Sequence, residues 1–117
     1  MTHYLVVLND APYGNERSYN GLRLARSLAM RDDAEVRLFL MGDAVGCAMA
    51  DQKLPDGYYH LDRMLRAVGA KGSAVGSCGT CLDARGIKDE MLAEGTRRSS
   101  LDELTEWTVW ADKVITF

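Results

Sequence analysis

Short unbroken apolar runs alternate with stretches of helical periodicity along this chain, and no other feature restricts its fold so tightly. Residues 4–8 (Tyr-Leu-Val-Val-Leu) form a continuous apolar run, the pattern of a strand buried on both faces. Residues 9–15 are rich in turn formers and read as a loop, after which Asn15 is placed to cap a helix. Tyr19, Leu22, Ala25, Leu28 and Ala29 then recur at helical spacing. Residues 35–41 read as a second strand, and Gly42-Asp43 turns the chain into a short helix containing Val45, Cys47, Ala48 and Met49.

The same alternation continues to the last residue. After a Pro-Asp-Gly loop, Leu61, Met64, Leu65 and Val68 mark a helix for which Gly69 suits the C-terminal cap. Residues 73–76 form a brief third strand, residues 87–93 a short helical stretch and residues 96–99 an edge strand. Ser100 and Glu103 have the spacing of a capping box, announcing a helix through Trp107 and Trp110, and residues 113–117 close the chain as a strand. Strands alternating with helices imply a parallel sheet covered on both faces, with right-handed connections. The expected architecture is α/β: one doubly wound, flavodoxin-like domain over residues 1–117, with a mostly parallel sheet of about five strands.

Composition narrows the function. With 47% apolar and 26% charged residues the chain matches a globular protein that can bury its own core. A net charge of −3 and scattered basic residues offer no electrostatic footing for nucleic acid or anionic lipid. No run approaches the roughly 18 apolar residues of a membrane span, and residues 5–8 lack the basic segment that precedes a signal peptide core. Three cysteines are an odd count, unsuited to a closed disulfide framework, and in a cytosolic chain a Cys-x-x-Cys pair is more often catalytic or metal-binding. The expected location is the cytoplasm.

Reactive chemistry concentrates in residues 76–86, Gly-Ser-Cys-Gly-Thr-Cys-Leu-Asp-Ala-Arg-Gly. Cys78 and Cys81 fall where a strand hands over to a helix, and free N–H donors at such a junction favour a thiolate over a thiol. If the segment is helical, Cys78, Cys81 and Arg85 share one face, and the guanidinium supports the thiolates. In wound sheets ligands gather outside the carboxyl ends of the strands. Three loops meet there: residues 9–15, 42–47 and 77–85. The expected pocket therefore includes Asn9, Asp10, Tyr13 as a lid, Gly42, Cys47 and Gly79.

Other readings of these residues carry less. Buried cysteines can be plain packing, although two thiols in a Gly-rich loop are hard to explain that way. One Cys-x-x-Cys supplies only half of a tetrahedral zinc site, and His3 and His60 lie on the first strand and at a helix start, so no metal is expected. A thioredoxin arrangement opens a long helix early in the chain, whereas here Gly86 cuts the turn short. Residues 9–15 lack the Lys-Ser/Thr of a phosphate loop.

Gly42-Asp-Ala-Val45, the segment from Cys78 to Gly86 and the closing helix with residues 111–117 together resemble the DsrE/DsrF-like family across essentially the whole chain. That resemblance implies a small α/β fold, assembly as a homo-oligomer (trimer or hexamer) and sulfur relay without an organic cofactor. Cys78 matches the cysteine that carries sulfur as a persulfide between donor and acceptor proteins. Cys81 departs from members with one cysteine in this loop. A second thiol there could attack a persulfide, releasing sulfide, so sulfur carriage and dithiol redox exchange both stand open, beside a non-catalytic binding module.

Overall fold

The computed structural model describes every residue from Met1 to Phe117. Its elements are β1 (Thr2–Leu8), α1 (Arg17–Ala29), β2 (Ala34–Leu40), a 3₁₀ segment (Gly42–Ala48), α2 (Leu61–Ala70), β3 (Ala74–Cys78), α3 (Gly79–Ala84), a 3₁₀ turn (Asp89–Met91), β4 (Arg97–Ser99), α4 (Leu101–Trp110) and β5 (Lys113–Thr116). The five strands form one sheet in the order β4-β3-β2-β1-β5, and every pairing is parallel. The doubly wound architecture is the one the alternating pattern predicts; the strand order is not legible there.

Register explains how both faces are covered. Leu8 pairs with Leu40 and Val7 with Phe39, and successive strand residues point to opposite faces. On one face α1 lies so close to β1 that a Cβ on Gly21 would sit 2.3 Å from Leu8 Cδ2. On this face α1 packs on α2, and Tyr19 stacks on Tyr59 with centroids 3.9 Å apart. On the other face Trp107 of α4 meets Phe39 edge-on, with centroids 6.1 Å apart. Arg37 lies over the Trp110 ring at 3.9 Å, and His3 stacks on that ring's plane at 4.4 Å. The core itself is aliphatic: Leu5, Leu8, Leu22, Leu38, Leu40, Leu61 and Leu65 are fully buried, each contributing about 1.5–3 kcal/mol.

The chain steps in one direction from β1 to β4, then crosses the whole sheet to reach β5 beside β1. A right-handed crossover run in that reverse direction places α4 opposite α1 and α2. Chain leaving β3 enters α3, which contacts the 3₁₀ segment on the α2 face, while chain leaving β4 enters α4 on the other. The winding therefore reverses between β3 and β4, and a crevice opens at their carboxyl ends.

Local details differ from the sequence expectations for identifiable reasons. Gly69 is not the cap of α2; it lies inside the helix, where a Cβ would meet the Gly95 carbonyl oxygen at 3.1 Å. Gly72 takes the left-handed conformation instead, with φ +86°. Residues 87–93 make only one 3₁₀ turn, because the Ala93 N–H goes to the Ala48 carbonyl and the Ala50 N–H to the Met91 carbonyl. Asn15 lies one residue before the helix cap, and its side chain accepts from the Arg17 N–H at 3.0 Å. Ser100 does cap α4, accepting from the Glu103 N–H at 3.2 Å. The Glu103 carboxylate turns to Arg97 and Ser99 rather than completing the box.

Candidate functional site

β3 extends two residues beyond the expected strand, so Cys78 is its last residue and pairs in register with Ser99 of β4. The approach of the two strands depends on small residues. A Cβ on Gly76 would meet Ser99 Cβ at 2.9 Å, and one on Gly79 would meet the Ser99 carbonyl oxygen at 2.9 Å and Arg98 Nη1 at 3.2 Å. α3 is too short to be stable alone, and the fully buried Leu82 anchors it to the core. This anchored turn holds Cys81 one turn from Cys78.

A groove of about 260 Å³ lies at the switch point, lined by Cys78, Gly79, Thr80, Asp83, Arg98 and Ser99, with the α4 start beyond. Leu101, 67% exposed, stands at its lip. Cys78 lines the groove yet is only 7% exposed. Burial by itself pushes the Cys78 thiol up. Hydrogen bonds from the Cys81 and Thr80 side chains, and from the backbone N–H groups of both residues, outweigh it and hold Cys78 below the ordinary thiol range. Thr80 Oγ1 is 3.3 Å from Cys78 Sγ.

Cys81 faces the other way. Its sulfur accepts from the Gly42 N–H at 3.3 Å, and it is not part of the groove wall. Burial and then the hydrogen bond with Cys78 raise the Cys81 thiol, while the Gly42 N–H and the Arg85 charge act against that rise. The pair is thus unequal, with Cys78 the more acidic partner.

Arg85 supports the site differently from expectation. Its guanidinium reaches Asp43 Oδ1 at 2.7 and 3.1 Å and the Cys81 carbonyl at 3.0 Å, tying α3 to the 3₁₀ segment. Its charge acts on Cys81 rather than Cys78.

Of the remaining expected pocket residues, Gly79 and Gly42 adjoin the thiols and the others turn elsewhere. Asn9 donates its side-chain amide to the Phe117 carbonyl at 3.1 Å, and Asp10 pairs with Arg17 at 3.2 Å. The Tyr13 hydroxyl is bound to Gln52 and accepts from the Leu61 N–H at 3.3 Å, which seats the ring against the start of α2 rather than over the cysteines. Cys47 lies at the expected edge of the sheet but is wholly buried, and burial pushes its thiol up to about 12. A 3₁₀ segment advances about 3.0 residues per turn rather than 3.6, so the facing of Cys47 cannot be read from helical spacing.

Arg98 and Ser99 lie outside the three loops expected at the site, and Thr80 and Asp83 lie within the 77–85 segment without having been singled out. Arg98 donates to the Gly79 carbonyl at 3.1 Å and pairs with Asp83 at 3.0 Å and Asp89 at 2.8 Å. Its only trace in the sequence is its place on a short edge strand. Nowhere do three His, Cys, Asp or Glu side chains converge as metal ligands, and no helix is long and apolar enough to cross a membrane.

A fully parallel, doubly wound sheet with an unequal thiol pair at its switch point defines a small α/β protein with a cysteine-centred site. The chain belongs to the DsrE/DsrF-like family, whose model matches residues 2–117. It is 42% identical to protein YchN of Escherichia coli K12, with both sequences covered completely. Protein MJ0989 of Methanocaldococcus jannaschii is 34% identical over 97% of this chain and 98% of its own length. The crystal structure of the E. coli ychN protein superposes with a TM-score of 0.93 over the whole of both chains. MTH1491 of Methanobacterium thermoautotrophicum, 13% identical with a TM-score of 0.80 over both full chains, shares the fold.

Proposed function

We propose that this protein is a cytoplasmic sulfur-relay protein in which Cys78 accepts sulfur from a persulfide donor and passes it to an acceptor protein. Family membership supports the class of chemistry. The observation that carries the reading is the placement of Cys78: a nearly buried thiol on the wall of a groove open to solvent, with Thr80 Oγ1 at 3.3 Å and its acidity held below the ordinary thiol range. A thiolate is the nucleophile in sulfur exchange. The Cys78 thiolate attacks the outer sulfur of the donor persulfide and forms a new S–S bond. The donor's own S–S bond breaks, and its electron pair leaves on the donor thiolate. No organic cofactor takes part. A homo-oligomer, trimeric or hexameric, fits the family and would shield the loaded groove.

Intact-mass analysis after treatment with a low-molecular-weight persulfide tests this reading. Cys81→Ser, which has no neighbouring thiol to remove the sulfur, is expected to gain it, and the gain should disappear when Cys78→Ser is added to that variant. Loading that is indifferent to Cys78→Ser overturns it.

A further inference from the structure

We propose that, where no acceptor protein takes the sulfur, Cys81 resolves the Cys78 persulfide, so that the protein also acts as a persulfide reductase that releases inorganic sulfide. This rests on Cys78 being the residue that loads. The placement of the two thiols carries the inference. Cys78 lines the groove and Cys81 does not; Cys81 lies on the other side, against Gly42. A sulfur delivered through the groove therefore projects away from Cys81. Thiolate displacement at sulfur requires the nucleophile and leaving group on opposite sides of the atom attacked. Cys81 is positioned for Cys78 Sγ, with the outer sulfur departing into the groove beside Arg98.

Spacing permits the product. Cys78 is the N-cap of α3 and Cys81 lies in its first turn, and a disulfide needs Cβ atoms about 3.5–4.5 Å apart, which rotamer changes and a small shift of that turn can supply. Release of the Gly42 N–H from Cys81 is the only backbone hydrogen bond to that sulfur that must break.

Loading itself switches Cys81 on. While Cys78 is a free thiolate, its negative charge beside Cys81 holds the Cys81 thiol above the ordinary range. In the persulfide the negative charge moves to the outer sulfur, and Cys78 Sγ becomes a neutral bridging atom. The Gly42 N–H and Arg85 then act on Cys81 without that opposition. The step balances as Cys78–S–S⁻ plus Cys81–SH giving the Cys78–Cys81 disulfide plus HS⁻. The Cys81 sulfur is oxidised to the disulfide level, Cys78 Sγ keeps the level it reached on loading, the outer sulfur is reduced to sulfide, and the Cys81 proton leaves with it. A dithiol reductant of the thioredoxin class then restores both thiols by exchange.

The full-length reduced protein, freed of reductant under anaerobic conditions, is treated with glutathione persulfide while sulfide release and intact mass are followed. Wild type is expected to release sulfide stoichiometrically and to end as an internal disulfide. Cys81→Ser and Cys81→Ala should retain the added sulfur, with sulfide release at the Cys78→Ser background. A wild type that keeps its added sulfur as stably as Cys81→Ser, or that carries it on Cys81, overturns the reductase inference and leaves relay by Cys78 standing. Failure of every form to load overturns relay and reductase together.

Discussion

The backbone N–H of Gly42 donates to the thiol sulfur of Cys81 at 3.3 Å, joining two loops 39 residues apart in sequence. Gly42 has φ +55°, a conformation that costs a residue with a Cβ about 1–2 kcal/mol. Gly42→Ala should lower stability by about that amount, read as a shift of the denaturant midpoint, and should slow alkylation of Cys81 by weakening the donor that favours its thiolate. An unchanged alkylation rate at Cys81 would show that this hydrogen bond does not tune the thiol.

The three thiols should react in a fixed order. Cys78 lies below the ordinary thiol range, Cys81 above it, and Cys47 far above it in the core. Iodoacetamide labelling followed by peptide mapping should modify Cys78 first and Cys47 only after unfolding. The pH profile of Cys78 labelling should rise at lower pH than that of a free cysteine, and Thr80→Val should move it back up. Removing a hydroxyl donor destabilises the thiolate.

Cys47 gives stability a dependence on alkaline pH. Its folded pKa of about 12 lies above the unfolded thiol value, so it contributes full stability below the unfolded pKa and loses it as pH rises toward the folded one. Unfolding should therefore become easier from about pH 8.5 upward, by at most roughly 5 kcal/mol by the time the folded pKa is reached. Cys78 has the opposite sign: its contribution is present above the unfolded thiol pKa and declines as pH falls through its depressed folded value. Comparing the pH dependence of chemical denaturation in wild type and Cys47→Ala isolates the larger effect, which should be missing from the variant.

Gly79→Ala should damage the site more than its size suggests. The new Cβ would lie 2.9 Å from the Ser99 carbonyl oxygen, a backbone atom held in the β3–β4 pairing, so the strands must part. Overpacking of this kind costs about 1–3 kcal/mol. A lowered melting temperature together with slower Cys78 labelling is the expected result; normal labelling in a fully stable variant would contradict the close approach.

Loss of Arg85 separates stability from chemistry. Its pair with Asp43 is partly exposed, and pairs of this kind contribute about 0–1 kcal/mol. Arg85→Ala should therefore leave the melting temperature nearly unchanged while raising the Cys81 pKa, with Cys78 little affected. A shift confined to Cys78 would contradict the geometry.

Much of this molecule is local and was legible as such. Strand runs, the α1 and α2 periodicities and the Ser100 cap each depend on residues within a few positions of one another, where backbone geometry sets the spacing. Alternating elements imply a parallel wound sheet, and a parallel sheet puts the residues after β3 at its reactive edge; the Cys78–Cys81 segment followed from that, and the leading role of Cys78 from the family resemblance. The order β4-β3-β2-β1-β5 did not, because it depends on which apolar faces fit together across the whole chain. That order sets Arg98 and Ser99 beside Cys78, turns Cys47 and Tyr13 away, and brings Gly42 to Cys81. The inequality of the two thiols comes from burial and from the first turn of α3 itself, where Thr80 and Cys81 favour the Cys78 thiolate, while Gly42, brought in from far along the chain, tempers the rise of Cys81.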